Sequence, residues 1–182
     1  MIINLPNGLT LLRLVLTPVI VLLLLREDFT LAFLVFLVAG ITDGLDGFLA
    51  RSLREGTEFG RILDPVADKL LLSSSFLTLA FVGRLPLWLV LIVAGRDLLL
   101  ILGSGLLLIA TGRPGYPPSI LGKLTTALQV LTVLCAMAVE AGSASLAPVL
   151  WATGAFTILS GLDYLCRGAT ALLSRRRNAS LV

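Results

Sequence analysis

Four aspartates between positions 43 and 68 are the residues of this chain best suited to chemistry. Asp43 and Asp46 are three positions apart, and Asp64 and Asp68 are four apart. On helices each pair would share one face, so two neighbouring helices could direct four carboxylates into a common space. Carboxylates that close repel each other and are costly to desolvate. Their oxygens suit hard divalent cations, and the pattern therefore predicts a Mg²⁺ or Mn²⁺ site.

Some residues of this stretch also have a plainer structural interpretation. Asp64 precedes a proline, a pair typical of a helix N-cap followed by proline at the first helical position. Gly47 and Gly60 are of a type that membrane helices often use for close mutual contact. Such explanations do not extend to Asp43 and Asp46, because both lie within an apolar run where carboxylates are costly. The set of four is therefore interpreted as a functional site.

The elements that must position these residues are membrane-spanning helices. The chain has 182 residues, of which 57% are hydrophobic, and its mean hydropathy is +1.02. These values predict an all-α, polytopic membrane protein with six transmembrane helices in one bundle. It would consist of a short segment 1–8, a six-span domain 9–170 and a basic tail 171–182. The predicted spans are Leu9–Leu25, Phe29–Ala50, Ile62–Val82, Leu87–Ala110, Ile120–Val139 and Pro148–Cys166.

The distribution of basic residues predicts how the spans are oriented. Six spans place both termini on one side, and most arginines and lysines outside the spans fall on that side. The positive-inside rule makes it the cytoplasmic side, so the aspartates would lie at the cytoplasmic face. The basic residues on this side are Arg51, Arg54, Arg61, Arg113, Lys123, Arg167 and Arg175–Arg177, against Arg26 and Arg84 on the other.

Composition also excludes several kinds of chemistry. The chain contains no histidine, which removes Ser-His and Cys-His catalysis and the commonest zinc ligand. A bundle that conducts or transports cations is an alternative use for the aspartates, but acidic residues would then be spread along a path through the membrane. Here they cluster at one face. A purely structural assembly protein would have no use for such a cluster.

The clustered residues carry a resemblance to a known family. The stretch from 43 to 68 resembles, at every fixed position, the signature D-x2-D-G-x2-A-R-x8-G-x3-D-x3-D of the CDP-alcohol phosphotransferases. Members of that family are membrane enzymes that use an alcohol to displace CMP from a CDP-linked lipid. The matching residues are Asp43, Asp46, Gly47, Ala50, Arg51, Gly60, Asp64 and Asp68.

This resemblance implies a role for each matching residue. Two divalent cations, Mg²⁺ or Mn²⁺, would be held by the four aspartates, and Asp68 would be the base that takes the proton of the attacking hydroxyl. Gly47, Ala50, Arg51 and Gly60 would contact the CDP-lipid, although Arg51 alone could also be a helix-end anchor. The resemblance further implies CDP-diacylglycerol as donor, a homodimer and the bacterial inner membrane. A nucleic-acid partner is not expected.

Three basic residues outside the signature are candidates for binding the acceptor. Arg96 and Asp97 are adjacent in the middle of the fourth span. They could pair with each other, but neighbours on a helix point about 100° apart, so different partners are predicted. Arg96 would then face the interior and hold an anionic group of the acceptor. Lys123 and Arg113 would assist, with simple anchoring an equal alternative for Lys123.

The rest of the chain resembles two branches of the family. Residues 4–13, 64–69 and 122–126 are similar to phosphatidylglycerophosphate synthases, which implies glycerol 3-phosphate as acceptor. The Arg96-Asp97 pair and residues 27–29 are more similar to CDP-diacylglycerol-dependent cardiolipin synthases, whose acceptor is phosphatidylglycerol. The expectation is transfer to a glycerol-type acceptor, with glycerol 3-phosphate preferred and phosphatidylglycerol as the alternative.

Overall fold

The structure, a computed structural model, consists of six α-helices over the residues that it describes. These are 5–53, 58–111 and 119–179 for the backbone, and 11–42, 66–106, 108–109 and 119–170 for the side chains. Within these ranges there is no strand, which confirms the predicted all-α class. The helices are α1 Leu5–Leu25, α2 Phe29–Leu53, α3 Glu58–Phe81, α4 Leu87–Thr111, α5 Ile120–Ala138 and α6 Ala147–Ala179.

Three of these helices are long and apolar enough to cross a membrane. The candidate spans are Leu87–Leu106, Ile120–Ala138 and Ala147–Thr170. The apolar stretches of α1 and α2, Leu11–Leu25 and Phe29–Thr42, are shorter than a full span over the residues searched. The chain is thus an integral membrane protein by the length and composition of its helices. That all six helices cross the membrane in one bundle stays a prediction.

Local signals place the end of α1 and the start of α2 where the sequence predicted them. Glu27 has a φ of 60°, and the Asp28 amide donates to the Leu23 carbonyl at 3.0 Å. A left-handed residue followed by this bond satisfies carbonyls that the end of a helix leaves free. The Asp28 carboxylate then accepts from the Leu31 amide at 3.2 Å, which caps the start of α2. A glycine, Gly83, makes the same kind of turn after α3, with a φ of 75°.

Several helices extend beyond their predicted limits. α2 continues to Leu53 and α3 begins at Glu58, so most of the predicted polar connection 51–61 is helical. α6 continues to Ala179, through most of the predicted tail. The predicted helices ended at charged residues, because charged side chains leave the apolar core of the membrane. The helices nevertheless continue past these residues, because arginine and glutamate are good helix formers in water.

The chain divides into two compact units. The first comprises residues 1–86 and 130–146, and in it α1 packs against both α2 and α3. Arg84 connects distant segments of this unit. Its guanidinium lies 3.8 Å from the centre of the Phe29 ring and donates to the Val139 carbonyl. The fully buried apolar side chains of the unit include Ile20, Leu24, Phe76 and Leu79.

The second unit comprises residues 87–129 and 147–182, and α4 and α6 pack against each other in it. Residues near the start of α4 contact residues near the start of α6, and later residues of α4 contact later residues of α6. The two helices are therefore parallel. Near their starts Trp88 stacks on Trp151 with ring centroids 5.0 Å apart. Further along, the Tyr164 hydroxyl donates to the Leu100 carbonyl at 3.4 Å.

Candidate functional site

The signature residues lie on two helices that both contact α1. Asp43, Asp46, Gly47, Ala50 and Arg51 belong to α2. The backbone is helical throughout this stretch, so the spacing on which the shared face was predicted applies. The side chains of these five residues lie outside the described part of the structure. Within α3, the same is true of the side chains of Gly60 and Asp64.

The position of Asp64 in α3 contradicts its interpretation as a helix N-cap. α3 begins at Glu58, so Asp64 lies within the helix rather than at its start. The interpretation of Asp64 as an N-cap is therefore wrong, because an N-cap residue precedes the first helical turn. Asp64 and Asp68 are both on the helix, one turn apart, as the predicted metal site requires.

Asp68 is the signature residue whose side chain the structure describes, and it forms an ion pair with Arg13 of α1. The Arg13 side chain is 2% exposed, whereas that of Asp68 is 48% exposed. A buried guanidinium needs anionic or hydrogen-bonding partners, and the carboxylate supplies one of them. Asp68 thus combines a fixed position with an open side, as a residue that meets a substrate or a metal ion must.

The sequence analysis did not identify Arg13 as a partner of Asp68. Its signal was present, because an arginine in an apolar helix has to find a partner. What the sequence did not provide was the identity of that partner, since Arg13 and Asp68 belong to different helices. The pair becomes possible because α1 packs against α3.

Arg96 lies within the second unit, where α4, α5 and α6 approach each other. Its NH1 group donates to Asp97 Oδ1 at 2.9 Å, and its NH2 group donates to Ser160 Oγ at 3.1 Å. A Cβ added to Gly122 would come within 3.3 Å of NH2. The buried Nε has no hydrogen-bond partner in the part of the chain that is described.

The prediction that Arg96 and Asp97 point to different partners is wrong. Their Cβ directions do diverge on the helix, but the arginine side chain is long enough to fold back to the adjacent carboxylate. Both residues are buried, at 9% and 8% exposure, so the pair is shielded from water. Arg96 is therefore partly neutralised already, and its Nε is a buried donor with no hydrogen-bond partner among the described residues.

Of the other two predicted acceptor residues, the structure describes Lys123. Lys123 is exposed in the first turn of α5, directly after the glycine beside Arg96. Ser119 caps this turn, because its hydroxyl accepts from the Gly122 amide at 3.0 Å. The structure therefore brings the start of α5 to Arg96, while the Lys123 side chain faces outward. Arg113 lies outside the described residues.

A buried polar seam joins α5 to α6 next to Arg96. The Thr125 hydroxyl donates to the Phe156 carbonyl at 3.0 Å, and that of Thr153 donates to the Leu128 carbonyl at 3.4 Å. Interhelical hydrogen bonds of this kind hold membrane helices together. They keep the start of α5 in place over Arg96. Gln129, which is fully buried, has no hydrogen-bond partner for its amide among the described residues.

The apolar helices define an integral membrane protein, and the signature lies on two of its helices, α2 and α3. The chain belongs to the CDP-alcohol phosphatidyltransferase family, whose model matches residues 3–159. The match covers α1 to α5 and about half of the apolar part of α6. The predicted family is thereby confirmed, and an ion-transporting bundle is not supported.

Relatives extend over nearly the whole chain. A probable phosphatidylglycerophosphate synthase of Mycobacterium tuberculosis is 36% identical over 97% of this chain and 87% of the relative. A CDP-diacylglycerol–glycerol-3-phosphate 3-phosphatidyltransferase of Bacillus subtilis is 33% identical over 93% of this chain and 97% of the relative. The human CMP-forming cardiolipin synthase is 33% identical over 85% of this chain and 58% of the relative. Both predicted branches are thus represented.

Proposed function

We propose that this protein transfers the phosphatidyl group of CDP-diacylglycerol to glycerol 3-phosphate, which yields phosphatidylglycerophosphate and CMP. The observation that carries the proposal is the complete signature, with all of its residues on two helices that share α1 as a neighbour. The bacterial relatives named for this reaction, which align over nearly their full length, support the choice of acceptor.

The chemistry assigned to the signature follows from its donor set. Asp43, Asp46, Asp64 and Asp68 would hold two divalent cations, since carboxylate oxygens suit Mg²⁺ and Mn²⁺. The cations would neutralise the pyrophosphate of the donor and favour departure of CMP. The exposed side of Asp68 leaves its carboxylate available for such contacts, and α3 places it one turn from Asp64.

The transfer itself exchanges one phosphorus–oxygen bond for another. A hydroxyl oxygen of the acceptor attacks the phosphorus next to the diacylglycerol, and the bond from that phosphorus to CMP breaks. The hydroxyl proton passes to Asp68, and CMP leaves with the bond's electron pair. Arg13 would orient the Asp68 carboxylate for this step, as an ion pair with a buried partner restricts its rotation.

The remaining site residues would divide the two substrates between them. Gly47 and Gly60 would let the nucleotide approach the backbone, beside Ala50, and Arg51 would contact a phosphate. Arg96, with a buried Nε donor, would hold the acceptor's phosphate, and Lys123 and Arg113 would contribute charge near the start of α5. A homodimer in the bacterial inner membrane, with the site at the cytoplasmic face, completes the proposal; the distribution of basic residues supports this orientation.

A second candidate is cardiolipin synthesis, with phosphatidylglycerol as acceptor. The Arg96-Asp97 sequence and the match to cardiolipin synthases favour it. Purified protein supplied with CDP-diacylglycerol and one acceptor at a time distinguishes the two reactions by CMP release. Release with glycerol 3-phosphate but not with phosphatidylglycerol is expected. The opposite pattern would replace the first candidate by the second, and release with neither would contradict both.

A further inference from the structure

A groove of about 620 Å³ runs along the surface of the second unit between α4 and α6. It extends from Gly95 to Leu106 on α4 and from Tyr164 to Ala169 on α6. Its lining is almost wholly apolar, and Leu102 and Leu106 are about 62% and 61% exposed. None of its residues belongs to the signature, and none was predicted to bind either substrate.

The dimensions of the groove fit extended hydrocarbon. Gly95 and Leu106 are about 16 Å apart along the helix, close to the ~15 Å depth of the hydrocarbon in one membrane leaflet. Spread over this length, the volume gives a mean cross-section of roughly 40 Å². A groove of this length and cross-section can hold an extended acyl chain.

Two glycines keep the groove open. At both Gly95 and Gly168, a Cβ added to the backbone would meet no atom of the described residues within 4 Å. Because both glycines line the groove, larger side chains at these positions would occupy part of its space. Gly103 differs, because Tyr164 already fills the space beside it and lies 2.7 Å from such a Cβ. Tyr164 thus forms part of the groove wall.

A cationic side chain marks one end of the groove. Arg167 directly precedes Gly168, and its side chain is 46% exposed while its Nε bonds Asp163 at 2.9 Å. The parallel course of α4 and α6 brings Leu106 to the same end. This end leads towards the arginines at positions 175–177, on the side predicted to be cytoplasmic. Asp163 offsets part of the Arg167 charge, and the exposed part of this guanidinium together with the arginines of the tail complements a lipid with an anionic headgroup.

We propose that the groove between α4 and α6 binds an acyl chain of an anionic membrane phospholipid, with the headgroup beside Arg167. The lipid is a bound component of the bilayer rather than the CDP-linked donor, because the groove contains no residue of the signature. Gly95 and Gly168 admit the chain, Leu102 and Leu106 cover it, and Tyr164 limits its depth. The groove also contains none of the proposed acceptor residues, so its lipid is distinct from a phosphatidylglycerol acceptor and its binding does not require transfer.

The test uses purified full-length protein in detergent with a limiting amount of phosphatidylglycerol that carries a photoreactive acyl chain. Labelling is expected in peptides that contain residues 98–106 and 164–169. Gly95→Leu and Gly168→Leu fill the groove from opposite sides, and each should lower labelling about tenfold. Gly105→Leu is the matched control: it lies on α4, a Cβ there also meets no described atom within 4 Å, and it does not line the groove. Its labelling should equal that of the wild type.

Two further experiments test whether the bound lipid must be anionic and whether it is the CDP-linked donor. Arg167→Gln should lower labelling by phosphatidylglycerol about fivefold and leave labelling by the matching phosphatidylcholine unchanged. Unlabelled phosphatidylglycerol should compete, whereas CDP-diacylglycerol at the same concentration should not compete better. Equal labelling of wild type and both groove-filling variants would overturn the proposal. So would efficient competition by CDP-diacylglycerol alone, or a change of oligomeric state in the filled variants without loss of labelling.

Discussion

Arg13 of the first helix holds Asp68, the last aspartate of the signature, in an ion pair between α1 and α3. The two residues differ sharply in environment, because the arginine is almost fully buried and the carboxylate is half exposed. The buried partner restricts the orientation of the Asp68 carboxylate, and the exposed side is where the proposed contacts to metal and substrate would be made. This pair links the start of the chain to the site that the signature defines.

Replacement of Asp68 by asparagine should abolish transfer, because asparagine cannot accept the proton of the attacking hydroxyl or supply a full negative charge to a metal ion. The protein should still fold and bind CDP-diacylglycerol. CMP release and a binding titration measure the two effects. Asp163→Asn is the matched control, since it removes a partly exposed carboxylate that is paired with an arginine on α6. Near-normal turnover of Asp68→Asn would exclude Asp68 as the base.

Replacement of Arg13 tests whether it positions Asp68. Arg13→Ala should lower kcat roughly ten- to a hundredfold, in line with loss of a charged hydrogen bond. Arg13→Lys should recover part of the rate, because it keeps the charge but not the planar guanidinium. Arg26→Ala, at the exposed end of α1, serves as the control. A purely structural role would instead lower thermal stability and leave kcat of the folded fraction unchanged.

Transfer should require a divalent cation. Removal of metal with a chelator should abolish CMP release, and added Mg²⁺ or Mn²⁺ should restore it, because four carboxylates with no histidine in the chain suit hard cations. Metal content and activity should return in parallel during titration. Full activity of a thoroughly metal-free preparation would contradict the predicted site.

Arg96 should serve the acceptor rather than the CDP-lipid. Arg96→Ala should raise the acceptor KM roughly 30- to 1000-fold, the effect of about 2–4 kcal/mol for a lost buried contact to phosphate. Lys123→Ala should act in the same direction, and Arg51→Ala should weaken CDP-diacylglycerol binding instead. Titration of each substrate on each variant measures this division.

Asp97 provides the control for the Arg96 experiment. Arg96→Ala leaves a buried carboxylate without its arginine, which is destabilising in itself. The double variant Arg96→Ala/Asp97→Asn should regain thermal stability but not acceptor affinity. Recovery of both would show that Arg96 only neutralises Asp97.

Packing of α4 on α6 should depend on Gly154. A Cβ at this position would lie 2.8 Å from the ring of Trp88, which is held against Trp151 by stacking. Gly154→Ala should therefore lower the free energy of unfolding by about 1–3 kcal/mol. Gly105→Ala should instead leave stability unchanged or raise it slightly, since the space beside it is open and alanine favours helix. Thermal unfolding in detergent compares the two variants.

The sequence by itself determined the helices, their order and the family. These depend on local information: apolar runs, turn residues such as Asp28 and Gly83, and the fixed spacing of the signature. The spacing also located Asp43 and Asp46 on one helix and Asp68 on another, without knowledge of their neighbours. Where local signals conflicted, they left an alternative open that the structure contradicts. Asp64 before a proline could be interpreted as a helix start, but the helix begins at Glu58.

Only the tertiary structure decided which distant residues meet. The partner of Arg13 lies on another helix, and Arg96 combines an adjacent carboxylate with Ser160, which is 64 positions away. Helical periodicity fixes the direction of a Cβ, but a long arginine side chain can reach several partners from one position. The groove likewise arises from two helices together, because an open space at Gly95 or Gly168 exists only where the facing helix leaves it. Side-chain pairs and open spaces between helices depend on how the helices pack, so no single segment of the sequence specifies them.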